Sequence, residues 1–270
     1  MYKLSVIGVG NMAKAIIGGI VSSSCEISSI TLFDKFTTQY EDLKGLDFDF
    51  EIASDLNDAV SVADIVLLSV KPQNYDEVLE EISTVGGHSS KTYISIAAGI
   101  TAETVSEKLD GANVIRVLPN LPMVIGQGVS LICRNDSVPS SVFKCISDIF
   151  ASSGSVKIID ESEMNRLISV TSSSPAYVFK FVDAIHKGAL AQGLEGDDLI
   201  PVICDVLIGS AMLLKSSNDT PSTLASKVAS KGGTTEQALN KLNELGFDEI
   251  IKNAMIACTV RADELGNVQK

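Results

Sequence analysis

The sequence predicts an α/β chain: a doubly wound, parallel sheet over residues 1–159, followed by an all-helical domain over residues 160–270. Three observations carry this. From Lys3 to about Ile158, short runs rich in Val, Ile and Leu alternate with helical patterns, the mark of βαβ units. After Asp160 the alternation stops, and helices follow with boundaries at Pro175, Gly193, Pro221, Gly232, Gly233 and Gly246. The first apolar run also passes directly into a glycine turn, Gly8-Val9-Gly10, as the first strand of such a sheet does.

Candidate strands are Lys3–Val9, Ser29–Phe33, Phe50–Ile52, Ile65–Val70, Thr92–Ile96 and Asn113–Leu118. Two more, Gly128–Cys133 and Ser155–Ile158, flank a helical stretch around Ser141 to Phe150 and extend the same sheet. In the second half, Asp197 to Ser216 is apolar on most sides and belongs inside the structure or against another subunit. Gly209, Ser210 and Ala211 permit close helix approach there. The most apolar part, Leu199 to Leu214, is shorter than the ~20 residues of a membrane span and contains Asp205, so it reads as a buried helix. There is no internal repeat, and the residues after Leu265 read as a frayed polar tail.

A length of 270 residues suits two modest domains. The hydrophobic fraction of 45% and mean hydropathy of +0.26 leave an apolar surplus beyond one core, which points to a homo-oligomer. A net charge of -13 disfavours nucleic acid and anionic membrane surfaces as partners. Cys25, Cys133, Cys145, Cys204 and Cys258 form no CxxC pair and read as buried thiols of a reducing cytosol. The chain enters a strand at once, without the basic and apolar regions of a signal peptide, so a cytoplasmic location is expected.

Gly8, Gly10 and Ala13 form GxGxxA between an apolar strand and a helical pattern through Ala15, Ile16 and Ile20. Gly8 permits the tight turn, Gly10 lets a pyrophosphate approach the backbone, and Ala13 lets the helix pack on the strand. The helix start offers free N–H groups to the phosphates. This is a Rossmann-type dinucleotide site, and Val9, Asn11 and Met12 belong to it. Asp34 and Lys35 end the second strand, where an acidic residue binds a ribose 2′-hydroxyl and a basic one a 2′-phosphate, leaving NADH and NADPH both open. Ser69-Val70-Lys71-Pro72 and Ile96-Ala97-Ala98 end later strands at the same sheet edge, where small residues leave room for a nicotinamide.

Further along stand Leu118-Pro119-Asn120-Leu121-Pro122, Ser172-Ser173-Ser174-Pro175-Ala176-Tyr177 and Ser230-Lys231-Gly232-Gly233-Thr234-Thr235-Glu236-Gln237. With the N-terminal turn and Ser69 to Pro72, these motifs resemble the pyrroline-5-carboxylate reductases over nearly the whole chain. The resemblance implies NAD(P)H-dependent reduction of 1-pyrroline-5-carboxylate to L-proline, the last step of proline biosynthesis. It further implies a helical dimerisation domain, a homo-oligomer that is a dimer or a decameric ring of dimers, and a substrate pocket drawn from two subunits. Ser230, Gly233, Thr234 and Thr235 are then expected to hold the substrate carboxylate, with Ser230 and Thr235 in the catalytic role. Glu161 is expected to border the same pocket, and Asn57 to contact the adenosine end of the cofactor. The residues themselves agree: two glycines free the backbone for a concave turn, Thr234 suits an N-cap with Gln237 three residues on, and exposed N–H groups bind anions.

Four positions depart from the family pattern: Ser172 and Ser174 replace glycines, Ile168 stands where threonine is common, and Leu121 likewise replaces threonine. A protonated cyclic imine is already electrophilic at C5, so the protein has chiefly to position two molecules. His88 and His186 are the only histidines and fall in no ligand motif, so neither a metal nor a histidine base is expected. Tyr177 reads as a core aromatic or a proton donor. The alternatives are a β-hydroxyacid-dehydrogenase-like oxidoreductase, which needs a catalytic lysine that Lys180 and Lys187 match only in helix position, and a non-catalytic NAD(P)-binding regulator.

Overall fold

The computed structural model describes residues 1–267 apart from Lys44, Asp47, Asp49 and Arg134, and within them eight strands form one sheet. Strand β1 (Tyr2–Ile7) leads to helix α1 (Asn11–Val21) and strand β2 (Ile27–Phe33), and the short β3 (Phe50–Ile52) follows. Then come α2 (Leu56–Val62), β4 (Ile65–Leu68), α3 (Tyr75–Ser83), β5 (Thr92–Ser95), α4 (Ala102–Lys108) and β6 (Asn113–Leu118). The sheet is completed by β7 (Gly128–Cys133), α5 (Ser140–Ala151) and β8 (Gly154–Ile159). Strand order is β3-β2-β1-β4-β5-β6-β7-β8. The chain therefore winds outward from β1 to one edge and returns to start again at β4, which creates a switch point between β1 and β4.

Every neighbouring pair is parallel except β6 and β7. That exception has a simple cause: the connection over residues 119–127 is too short for a crossover helix. Covered on both sides, β4 is buried at each of its positions, which is why it reads as an unbroken apolar run. One core cluster packs Ile16, Ile17, Ile149 and Phe150 beneath the sheet, and a second packs Tyr75, Leu79, Ile82 and Val105 above it. Strand β1 stops two residues before the expected Val9 because Gly8 turns to a φ of +88°.

Six further helices follow: α6 (Glu161–Ile168), α7 (Ser174–Ala191), α8 (Leu199–Ser216), α9 (Pro221–Val228), α10 (Thr234–Glu244) and α11 (Phe247–Asn267). The chain divides into two compact units, Met1–Pro175 with Ala257–Lys270, and Ala176–Ile256. The first unit thus reaches beyond residue 159, because α6 and the end of α11 share a core with the sheet. Met164, Ile168 and Ala262 bury with Leu118, Leu131 and Cys133. At Gly99 the backbone approaches α11 so closely that a Cβ would lie 2.6 Å from the Ala262 carbonyl oxygen. Gly266 and Asn267 continue α11 rather than fraying, and residues 268–270 of the expected tail lie outside the described residues.

In the second unit no residue between Ala176 and Ile256 is buried. The reading of α8 as a buried helix therefore does not hold within this chain. Val202, Val206, Ile208 and Met212 are 56%, 62%, 58% and 66% exposed. At 18 residues with mean hydropathy 1.8, α8 is also long and apolar enough to cross a membrane by length and composition alone, contrary to the expectation. Phe181 and Phe247 stack within this unit at 6.5 Å. All five cysteines are free, but only Cys133 and Cys145 are buried; the others are half-buried.

Candidate active site

A cleft of about 360 Å³ opens where β1, β2 and β4 end, at the switch point. Gly8 and Gly10 line it from the first turn, Asp34 and Lys35 from the second strand's end, and Ser69, Val70 and Lys71 from the fourth's. Only glycine fits at position 8: its φ is +88°, and a Cβ would meet the Ser69 carbonyl oxygen and Val70 Cγ1 at 2.9 Å. At Gly10 the space ahead is open. Gly10 is also the N-cap of α1, where no side chain caps the helix, so its first N–H groups face outward without intrahelical partners. These features fit a dinucleotide pyrophosphate.

Asp34 does more than line the cleft. Its carboxylate accepts the Val9 N–H at 2.7 Å and the Phe36 N–H at 2.8 Å, while Tyr40 Oη accepts the Asp34 N–H at 2.7 Å and donates to the Asp34 carbonyl oxygen at 3.2 Å. Lys35 Nζ donates to Glu77 Oε1 at 2.6 Å, and that hydrogen bond holds the lysine pKa above its ordinary value. Of the other expected residues, Val9 is core, and Asn57 is exposed on α2 beside Leu56, which does line the cleft. Pro72 opens a short turn after Lys71. Asn11 borders a second cleft of about 560 Å³ with Lys14, Leu121, Met123 and Val124, and Met12 is half-buried beside it on α1. Ala97 is buried at the end of β5, with Ile96 and Ala98 half-buried around it. Phe36, Gln39, Asn74 and Glu77 line the first cleft without having been expected. Phe36 and Gln39 follow β2 closely enough for strand-end logic to reach them; Glu77, on a separate helix, carries no sequence signal.

The second glycine turn opens α10. Here the structure shifts the expected cap by one residue: Gly233 is the N-cap and Thr234 the first helical residue. The reason is Gly232, whose φ of +72° turns the chain early enough for the helix to start at Thr234. Glu236, rather than Gln237, reaches back, accepting the Gly232 N–H at 2.8 Å. Gly233 donates its N–H to the Ser230 carbonyl oxygen at 2.9 Å, and a Cβ on it would sit 2.6 Å from Ser230 Oγ. No side chain caps the helix, so the N–H groups of Thr234 and Thr235 stand free of intrahelical partners beside the Ser230 hydroxyl's segment. Ser230 and Thr234 are exposed; Gly233 and Thr235 are half-buried.

Glu161 is half-buried at the start of α6, in the first unit. Its carboxylate accepts the Ala102 N–H at 2.8 Å and meets the buried Arg116 guanidinium at 3.3 Å. Arg116 also donates to Asn165 Oδ1 at 2.8 Å, so Glu161 joins α6, β6 and the start of α4. His88 is buried, with Nδ1 2.7 Å from the Val85 carbonyl oxygen and Nε2 3.2 Å from Asp110. His186 is half-buried, and so is Tyr177, which is not core within this chain. Lys180 and Lys187 are exposed and share Asp183. Among the described residues no group of three or more His, Cys, Asp or Glu could hold a metal ion.

Residues 161–265 match the family described as pyrroline-5-carboxylate reductase dimerisation, and residues 3–99 match one described as NADP oxidoreductase, coenzyme F420-dependent. A pyrroline-5-carboxylate reductase of Vibrio alginolyticus is 34% identical over 266 residues, 97% of each chain. The chain belongs to the pyrroline-5-carboxylate reductase family. The Escherichia coli K12 reductase is 30% identical, over 97% of this chain and 98% of that one. The crystal structure of Plasmodium falciparum pyrroline carboxylate reductase with NADP bound superposes with a TM-score of 0.87 at 25% identity, covering 98% of both chains.

The matched segment is described as a dimerisation domain, in keeping with the helices between Ala176 and Ile256 that have no buried residue in one copy. The departures from the family pattern have local explanations. Ile168 is 5% exposed in the core shared by α6, the sheet and α11, so its side chain is a packing group. Ser172 Oγ donates to the Pro119 carbonyl oxygen at 2.9 Å, and Ser174 Oγ to those of Val170 and Ser169 at 2.6 and 3.0 Å. Both hydroxyls therefore use backbone acceptors in the turn into α7. Leu121 is 49% exposed at the rim of the larger cleft.

Proposed function

We propose that the chain performs the reaction for which its family is named, NAD(P)H-dependent reduction of 1-pyrroline-5-carboxylate to L-proline, the last step of proline biosynthesis. One observation carries the reading of the site: a helix start without a side-chain cap stands behind a glycine turn both at the sheet's switch point and at α10. Each offers free N–H groups and the positive end of a helix dipole to an anion. The first suits a dinucleotide pyrophosphate; the second suits a substrate carboxylate.

In this reading the turn at Gly8 to Met12 holds the phosphates, Asp34 and Lys35 face the adenosine ribose with Asn57 nearby, and Ser69 to Pro72 with Ile96 to Ala98 border the nicotinamide. When bound, NAD(P)H supplies hydride from the nicotinamide C4. Thr234 and Thr235 receive the substrate carboxylate on their N–H groups, and the Ser230 and Thr235 hydroxyls fix its orientation. Glu161, held by the Ala102 N–H and Arg116, borders the same pocket. The imine arrives already protonated, so C5 accepts hydride without a strong acid from the protein, and positioning supplies most of the acceleration. A homo-oligomer in the cytoplasm, built from dimers and closed as a ring, completes the proposal. Purified protein is expected to oxidise NADPH or NADH only when 1-pyrroline-5-carboxylate is added; an absence of turnover with either cofactor overturns the reading.

A further inference from the structure

The geometry points to Glu77 as the residue that sets the choice between NADH and NADPH, by neutralising Lys35 as a receptor for the 2′-phosphate. This rests on the cofactor reading of the cleft. Three charged side chains meet where β2 ends: Asp34, Lys35 and Glu77 all line the cleft. Lys35 is the basic group there, and its ammonium is bonded to Glu77 Oε1 at 2.6 Å, with Glu81 adding negative charge from the same helix. Asp34 is anchored on the N–H groups of Val9 and Phe36, so its charge stays at the rim. At this corner Lys35 is flanked by two carboxylates; Lys71 is the second basic residue in the lining, and among the described residues no arginine lines the cleft.

A 2′-phosphate binds well to a cation with open donors, and best to an arginine fork. At this corner it would have to displace Glu77 from Lys35 and lie beside Asp34. A ribose 2′-hydroxyl meets no such opposition, since it can donate to either carboxylate. Lys35 and Glu77 are 55% and 67% exposed, so the pair can open when a stronger anion arrives, and the discrimination is one of degree. Glu77→Gln leaves Lys35 in place and removes the competing charge.

Calorimetric titration of the purified oligomer with adenosine 2′,5′-bisphosphate and with adenosine 5′-monophosphate tests this without turnover. Glu77→Gln is expected to raise the affinity ratio in favour of the bisphosphate by about tenfold, with a smaller gain at high salt. The kcat/KM ratio for NADPH over NADH is expected to move the same way, and the double variant Lys35→Gln, Glu77→Gln to lose the gain. Equal changes for both ligands, or an unchanged ratio in a variant that still turns over, overturn the role of Glu77 alone. If neither adenosine ligand binds and neither cofactor is oxidised, the cofactor reading falls with it.

Discussion

The Val9 N–H donates to the Asp34 carboxylate at 2.7 Å, tying the glycine turn after β1 to the end of β2. A second oxygen of the same carboxylate receives the Phe36 N–H, so one side chain sets both loops of the cleft. Asp34→Ala leaves two N–H groups unpaired, at a cost of about 1–3 kcal/mol. Urea unfolding is expected to show that loss, and cofactor affinity to fall because the phosphate turn loosens. Asp34→Asn keeps one acceptor oxygen and is expected to recover part of the stability. Unchanged stability in Asp34→Ala would show that the bond is dispensable.

Gly8→Ala is expected to abolish cofactor binding in a folded protein. Holding alanine at φ +88° costs about 1–2 kcal/mol, and its Cβ would press on Ser69 and Val70 at 2.9 Å. The strain falls on the loops that frame the cleft, so fluorescence titration with NADH should detect it while circular dichroism stays near wild type.

At the other turn, Thr235→Ala is expected to raise KM for the imine by roughly tenfold, the worth of one hydrogen bond to a charged group, with little change in KM for cofactor. Steady-state kinetics with each substrate varied in turn makes the distinction. A matched rise in both constants would show that Thr235 supports the fold of α10 rather than the substrate.

Much of this was legible from the chain. Strand β4 is buried on both faces, so it appears as an apolar run that no helix period explains. The glycine turn at Gly8 was equally plain, since its spacing is imposed by a backbone that only glycine can follow. Three features stayed out of reach, two because they depend on partners distant in sequence and one because the strand pattern alone does not show direction. Glu77 meets Lys35 across 42 positions, Glu161 meets Arg116 across 45, and β7 reverses direction because of what its connection lacks. Thr234 failed as an N-cap for a local reason: sequence alone did not show that Gly232 would take a left-handed φ of +72°.

Burial pushes the thiols of Cys133 and Cys145 up to about 12 and about 11. Thiolate is the reactive form, and it is withheld in the folded state, so both are expected to stay silent to a disulfide reagent near pH 8 and to react only on unfolding. The sign for stability follows. Each pKa is raised by folding, so the unfolded chain releases its protons first as pH rises above the ordinary thiol range. Stability is then expected to fall between about pH 9 and pH 12, as judged by chemical denaturation. Rapid labelling of both thiols in the native protein would contradict this.

The last expectation concerns α8. Val206 and Met212 are 62% and 66% exposed in one copy, on a helix that lies in the segment matching a dimerisation family and has no buried residue of its own. A helix this apolar needs a cover, and a second copy of the same helix bundle is expected to supply one. Val206→Glu with Met212→Glu places two charges where apolar contact is required, at a cost of roughly 3–5 kcal/mol if they are left unpaired. Analytical ultracentrifugation is expected to show loss of the wild-type oligomer, and activity to fall with it because the turn before α10 lies in the same unsupported unit. Val206→Leu with Met212→Leu should retain both, separating lost apolar contact from lost side-chain shape. An oligomer unchanged by the glutamates would place the contact on another helix and leave the exposure of α8 needing a different partner.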